Sequence, residues 1–214
     1  MEGWGSPSRY LNKRTFRGSL WLPSQETPEV CHADLSDPKF FLLLLRIDEE
    51  LSRQSLTRGC EHCGAVLHRG NYPRKPRGCP RVVRAHFESR FSACCSNCRR
   101  RTTPPSVRFL HRRSFLACWV ALSAARVPGQ HSAQAALCQS LGVSRHTLAR
   151  WRRWWSEDFV RSSLWQAQCA RFMPPVDVSA LPGTLLARFI GPPATALHRM
   201  LLFLSPLSVR TRSV

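Results

Sequence analysis

Cys60-x-x-Cys63 and Cys95-x-x-Cys98 are the residues of this chain best suited to chemistry. Four thiolates converging from two short corners make a tetrahedral site for a zinc ion, and Cys-x-x-Cys is the shortest stretch that folds back as one such corner. Gly64 follows Cys63 directly, where the turn must enter positive φ for backbone N–H groups to point at the sulfurs. The second corner lies in Ala93-Cys94-Cys95-Ser96-Asn97-Cys98, and Cys94 is an alternative to Cys95 there. Spacing to Cys98 favours Cys95, and alternation along a strand turns Cys94 away. The competing reading is a set of reduced, partly buried thiols without metal. With 31 residues between Cys63 and Cys95, the two pairs fit a zinc ribbon with an enlarged hairpin.

The elements that must position these cysteines fall in residues 57–111. The segments 65–68 and 82–91 carry β-compatible residues, and 106–110 supplies a third strand after the Pro104-Pro105 break. Between the first two runs a stiff basic loop, Asn71 to Gly78, offers Arg74, Lys75 and Arg77 to a phosphate backbone, with Tyr72 free to stack or pack. Arg99, Arg100 and Arg101, directly after the second corner, extend this set of phosphate contacts.

Charge is distributed unevenly. Residues 1–56 hold seven Lys/Arg against eight Asp/Glu, net −1, whereas residues 57–214 hold 25 against five, net +20. Only the second part has the character of a polyanion binder. Of the 32 basic residues 29 are Arg, which suits bidentate phosphate and guanine contacts, although a GC-rich genome produces the same bias. The ten Cys would fit a secreted disulfide framework, but no basic segment followed by an apolar core stands at Met1–Gly5, and the densest apolar stretch, Phe40 to Leu45, is too short for a bilayer. The expected setting is a reducing cytoplasm, at the nucleoid, with no membrane.

Residues 1–36 mix Gly, Pro, Ser and charge and are expected to form a mobile leader. Asp37 as N-cap and Pro38 at the first helical position predict a helix to about Arg53 that packs on the ribbon. The run 114–126 reads as a largely buried helix, stopped at Val127-Pro128-Gly129. A helix-turn-helix is predicted next: Leu137, Leu141, Val143, Leu148 and Trp151 face inward, Cys138 is small at the crossing and Gly142 makes the turn. Ser144 then caps a recognition helix whose outer face carries Arg145, His146, Ala149, Arg150 and Arg153, within reach of base edges or phosphates. An ordinary two-helix hairpin is the bland alternative. Trp154 and Trp155 are expected to close the core, and short helices are predicted over 159–173, 185–190 and 194–204.

Cys60-x-x-Cys63-Gly64, a basic hairpin, Phe91, Cys95-x-x-Cys98, the run Arg99 to Pro105 and a helix-turn-helix together resemble the amino-terminal DNA-binding region of bacterial insertion-sequence transposases and their accessory proteins. The resemblance covers about residues 57–155. It implies Zn2+ on Cys60, Cys63, Cys95 and Cys98, and a helix from Arg145 that reads DNA. The long insertion before Cys95 departs from the compact pattern. Catalysis departs further, because an acidic-triad transposase needs carboxylates for two metal ions. Beyond Glu88 the chain has only Glu157, Asp158 and Asp177, and no βαβ alternation follows.

The expected fold is therefore α+β, mostly α: residues 37–56 a packing helix, 57–111 a small zinc ribbon, 112–160 a helix-turn-helix domain and 161–214 a C-terminal helical extension. The expected function is non-catalytic and zinc-containing, with double-stranded DNA as partner and a transposase or a second copy as further partner. It is that of a mobile-element accessory or a transcriptional regulator. The alternatives are an RNA- or ribosome-associated zinc protein and a transposase truncated before its catalytic domain.

Overall fold

The computed structural model describes residues 37–76, 79–110, 117–118, 139 and 144–209. The architecture is α+β and mostly helical, with two small antiparallel sheets. Helix α1 (Pro38–Arg58) starts where the Asp37 carboxylate accepts the Lys39 N–H at 2.9 Å and Pro38 fixes the first turn. It runs five residues past the predicted end and stops at Gly59, whose φ is 77°. A side chain at Gly59 would also meet the Gly64 carbonyl oxygen at 3.1 Å, so this stop doubles as the seat of the first cysteine corner. The buried face of α1 holds Phe40, Phe41, Leu44, Asp48 and Ser55.

Strand β1 (Leu67–Arg69) is followed by β2 (Tyr72–Pro73), a 3-10 helix (Arg81–Phe87), β3 (Ser89–Arg90), β4 (Ala93–Cys95) and β5 (Arg101–Thr102). One sheet has the order β1-β4-β5, in the register Leu67 to Cys95, His68 to Cys94, Cys94 to Arg101 and Ala93 to Thr102. The other pairs Tyr72 with Arg90 and Pro73 with Ser89.

Two strand expectations are corrected. Most of 82–91 is the 3-10 helix, because its buried apolar residues, Val83 and Phe87, stand four apart and not two. Phe87 meets Phe41 of α1 edge to face at 5.9 Å. The segment 106–110 is buried but is not the third strand, and β5 takes that place. Side chains satisfy its N–H groups: Asp48 Oδ1 accepts from Val107 at 2.7 Å, Ser208 Oγ from Ser106 at 2.7 Å, and Ser106 Oγ from Arg108 and Phe109 at 3.1 and 3.2 Å.

The helical part comprises α2 (Arg145–Arg153), which runs on as a π-helical stretch (Trp154–Phe159), α3 (Ser163–Gln168), α4 (Gly183–Leu186) and α5 (Pro193–Leu204). Trp154, Trp155 and Phe159 are buried, and ring contacts run from them through Trp165 to Phe172 and Phe203. One apolar core joins α1, the 3-10 helix, 107–110, α2 and the C-terminal helices, and buries Ala117 and Cys118. The leader, and the predicted first helix of the helix-turn-helix apart from Gln139, lie outside the described residues. No described helix is long and apolar enough to cross a membrane.

Within this core Asp48 and Arg108, both fully buried, form an ion pair at 2.7 Å. Arg108→Met strands the carboxylate and is expected to cost about 3–5 kcal/mol of unfolding free energy in urea titrations. Adding Asp48→Leu should recover only part of this, since the Val107 N–H and Ser106 hydroxyl then lose their acceptor.

Candidate metal centre

Two loops of matching geometry hold the four cysteines. In the first, the Cys60 N–H donates to the Ala65 carbonyl at 2.9 Å and the Gly64 N–H to the Cys60 carbonyl at 2.8 Å. In the second, the Cys95 N–H donates to the Arg100 carbonyl at 3.0 Å, five residues on as in the first. The Ser96 N–H crosses to the Val66 carbonyl at 3.0 Å and ties the loops together. The residue after each second cysteine is left-handed: φ is 70° at Gly64 and 59° at Arg99.

The sulfurs of Cys60, Cys63, Cys95 and Cys98 all lie within 4.8 Å of one another. Cys60 Sγ stands 3.6 Å from Cys98 Sγ, and Cys63 Sγ 3.4 Å from Cys95 Sγ. Zinc–thiolate bonds of about 2.3 Å put tetrahedral sulfurs about 3.8 Å apart, so the set is compatible with a zinc-type site. Cys60 and Cys95 are buried, with Leu67 and Ala93 beside them and Leu56, Ala65 and Cys98 packed around. Cys94 points elsewhere, its Sγ 3.4 Å from the Arg99 carbonyl, as strand alternation in β4 requires. This is the one such cluster among the described residues.

Burial works against ionisation of Cys95, but the N–H groups of Cys98 and Asn97, with the Cys63 and Cys98 thiols, draw its pKa down to about 6. The Arg100 N–H favours the Cys98 thiolate, yet burial and the thiols of Cys95, Cys60 and Cys63 push that pKa up to about 12. Thiolates are the form that binds a metal. A tetrahedral ion held by all four sulfurs would have no open position for water or substrate, the arrangement of a structural site.

The basic residues singled out in the sequence divide by surroundings. Arg99, Arg100 and Arg101 are exposed beside the corner, as is Lys75. Arg100 Nη1 lies 3.0 Å from His62 Nδ1, and Arg101 donates to the Gly70 carbonyl and to Ser92 Oγ. Arg74 is half-buried, its guanidinium 5.6 Å from the Tyr72 ring and 5.7 Å from that of Phe109. Arg77 lies outside the described residues. On α2, Ser144 Oγ accepts the Thr147 N–H at 3.3 Å, Leu148 and Trp151 are buried, and Arg145, His146, Ala149 and Arg150 are exposed. Arg153 is exposed too, but its Nε meets both oxygens of Glu157 at 3.0 and 3.1 Å. Sequence reasoning missed His62, whose position between Cys60 and Cys63 was the available signal.

Purified protein is expected to hold about one metal ion per chain by elemental analysis. Cys60→Ser and Cys98→Ser should each abolish this, and Cys94→Ser should retain it. Full occupancy in the first two variants is the contrary result. No protein-family model matches the chain, and neither a curated protein nor a solved structure matches it.

Proposed function

We propose that the chain is a non-catalytic, zinc-containing protein that binds double-stranded DNA, as a mobile-element accessory or a transcriptional regulator. The observation that carries this reading is the convergence of four cysteine sulfurs directly beside Arg99, Arg100 and Arg101. In this reading the two cysteine loops and the β1-β4-β5 sheet make up a zinc ribbon with an enlarged hairpin. Metal supplies the folding free energy that strands of two and three residues lack, and holds the corner's basic side chains over a surface that meets phosphate.

Helix α2 supplies the second contact in this proposal. It buries Leu148 and Trp151 and leaves Arg145, His146 and Arg150 outward, the arrangement of a recognition helix whose N-terminal residues approach base edges. The corner then positions the protein on the backbone, and the helix reads sequence. The charge of residues 57–214, net +20, favours association with a polyanion.

Selection of bound duplexes from a random pool is expected to enrich a motif. A bidentate Arg–guanine contact contributes about 1–3 kcal/mol of discrimination, so Arg150→Ala should weaken the selected site by that order and leave scrambled duplex and metal content nearly unchanged. Equal losses on both duplexes would reduce Arg150 to a phosphate contact. No enrichment, with tighter binding to structured RNA, would replace the DNA reading by an RNA one.

A further inference from the structure

The two cysteine corners are alike in backbone and unlike in one residue. Both turn left-handed after the second cysteine, at Gly64 and at Arg99. Glycine adopts that conformation freely, whereas an arginine there is strained. Crowding does not account for the difference, because a side chain at Gly64 would meet nothing within 4 Å. The Arg99 side chain is exposed and has no hydrogen-bond partner among the described residues, while the turn it makes aims the Arg100 N–H at the Cys98 sulfur. The strained backbone thus belongs to the metal corner itself, and it carries an exposed arginine where the matching corner carries glycine.

The neighbouring arginines are held across the site. Arg100 Nη1 reaches His62 Nδ1 at 3.0 Å, and His62 lies between the two cysteines of the opposite corner. The Arg99 carbonyl faces Cys94 Sγ at 3.4 Å, and the Arg100 carbonyl accepts the Cys95 N–H at 3.0 Å. Arg101 is fixed to the Gly70 carbonyl and Ser92 Oγ, with its guanidinium 5.8 Å from the Tyr72 ring. Arg99 and Arg100 stand on the second cysteine loop and Arg100 is also tied to the first, so their placement depends on these loops being closed, and closure is what a shared metal ion enforces.

From this we infer that the metal corner regulates a three-arginine phosphate grip: metal loading aims Arg99 and Arg100 beside the separately fixed Arg101, and metal loss disperses the two and lowers affinity for a nucleic-acid backbone whatever its sequence. The inference rests on the DNA-binding reading and adds a metal-dependent component separate from helix α2. Each arginine that neutralises a phosphate adds about one unit to the slope of log affinity against log salt.

The test measures that slope for full-length protein, metal-loaded and chelated, on a scrambled 20-base-pair duplex and on heparin, with circular dichroism to follow folding. Chelation is expected to lower the duplex slope by about two units and to leave the preference of the selected over the scrambled site in place. Arg99→Gly and Arg99→Ala should each lower the slope of the loaded protein by about one unit. Arg99→Gly, relieved of strain, should keep metal as well as the parent or up to about fivefold better, while Arg99→Ala should gain nothing. His62→Ala, which releases Arg100 without removing a cysteine, should lower the slope with metal content unchanged. A slope unaltered by chelation or by both Arg99 variants, in protein that does bind duplex, overturns the grip and leaves the DNA reading standing. Loaded protein that ignores duplex and heparin alike overturns both.

Discussion

Asp48 occupies a position on α1 that the spacing of Phe40, Phe41, Leu44 and Ser55 assigns to the core. A carboxylate removed from water there is tolerable only when it is paired and its oxygens are used, and both conditions hold. Its oxygens take the Ser106 hydroxyl at 2.5 Å, the Val107 N–H at 2.7 Å and Arg108 Nε at 2.7 Å. The guanidinium of Arg108 then donates to the carbonyls of His86 and Ser89, and its carbon lies 4.6 to 5.3 Å from the ring centroids of Phe87, Phe91 and Phe109. Helix α1, the 3-10 helix, β3 and 106–109 meet in this one network. A segment outside both sheets can be buried at 106–109 because side chains, the Asp48 carboxylate and the Ser106 and Ser208 hydroxyls, accept its N–H groups.

The cysteine corner lies at the edge of that organisation and has little of its own to stand on. Its apolar cluster contains only Cys60, Leu67, Ala93 and Cys95 as buried members, and its strands are two or three residues long. A sheet of this size needs outside support. Some comes from α1, which delivers the chain to Cys60 through Gly59, and some from β3, which leads into β4. The remainder falls to whatever holds the sulfurs together. The large core and the small corner therefore differ in what they offer: desolvation and a buried ion pair in one, four clustered sulfurs compatible with a zinc-type site in the other.

Local signals in the sequence were the readable ones. Asp37 and Pro38 fix a helix start, Ser144 fixes another, and each Cys-x-x-Cys closes its own corner, because each of these depends on residues within four positions of one another, whereas the meeting of the two corners across 31 residues was legible only from the ligand chemistry they share. The spacing Val83 to Phe87 was equally local, yet a β-branched composition concealed its helical period. The pair Arg153 and Glu157, four apart on a helix, was also legible and went unread. Asp48 and Arg108 are of another kind: 60 positions separate them, and nothing near either residue announces the other. The left-handed Arg99 was hidden for the opposite reason, since the local rule expects glycine and the chain departs from it.

Ser208 closes the network from far along the chain. Its hydroxyl oxygen accepts the Ser106 N–H across 102 positions and lies 3.5 Å from the Arg90 guanidinium across 118, while the hydroxyl itself donates to the Ser205 carbonyl at 2.6 Å. Arg90 is buried, and its other partner is the Pro104 carbonyl. During synthesis, residues 90–106 leave the ribosome long before this serine does. Until it arrives, the Ser106 N–H and the Arg90 guanidinium lack this acceptor, so the network closes through a contact of high sequence separation, which forms only after the chain between has been made and has folded back.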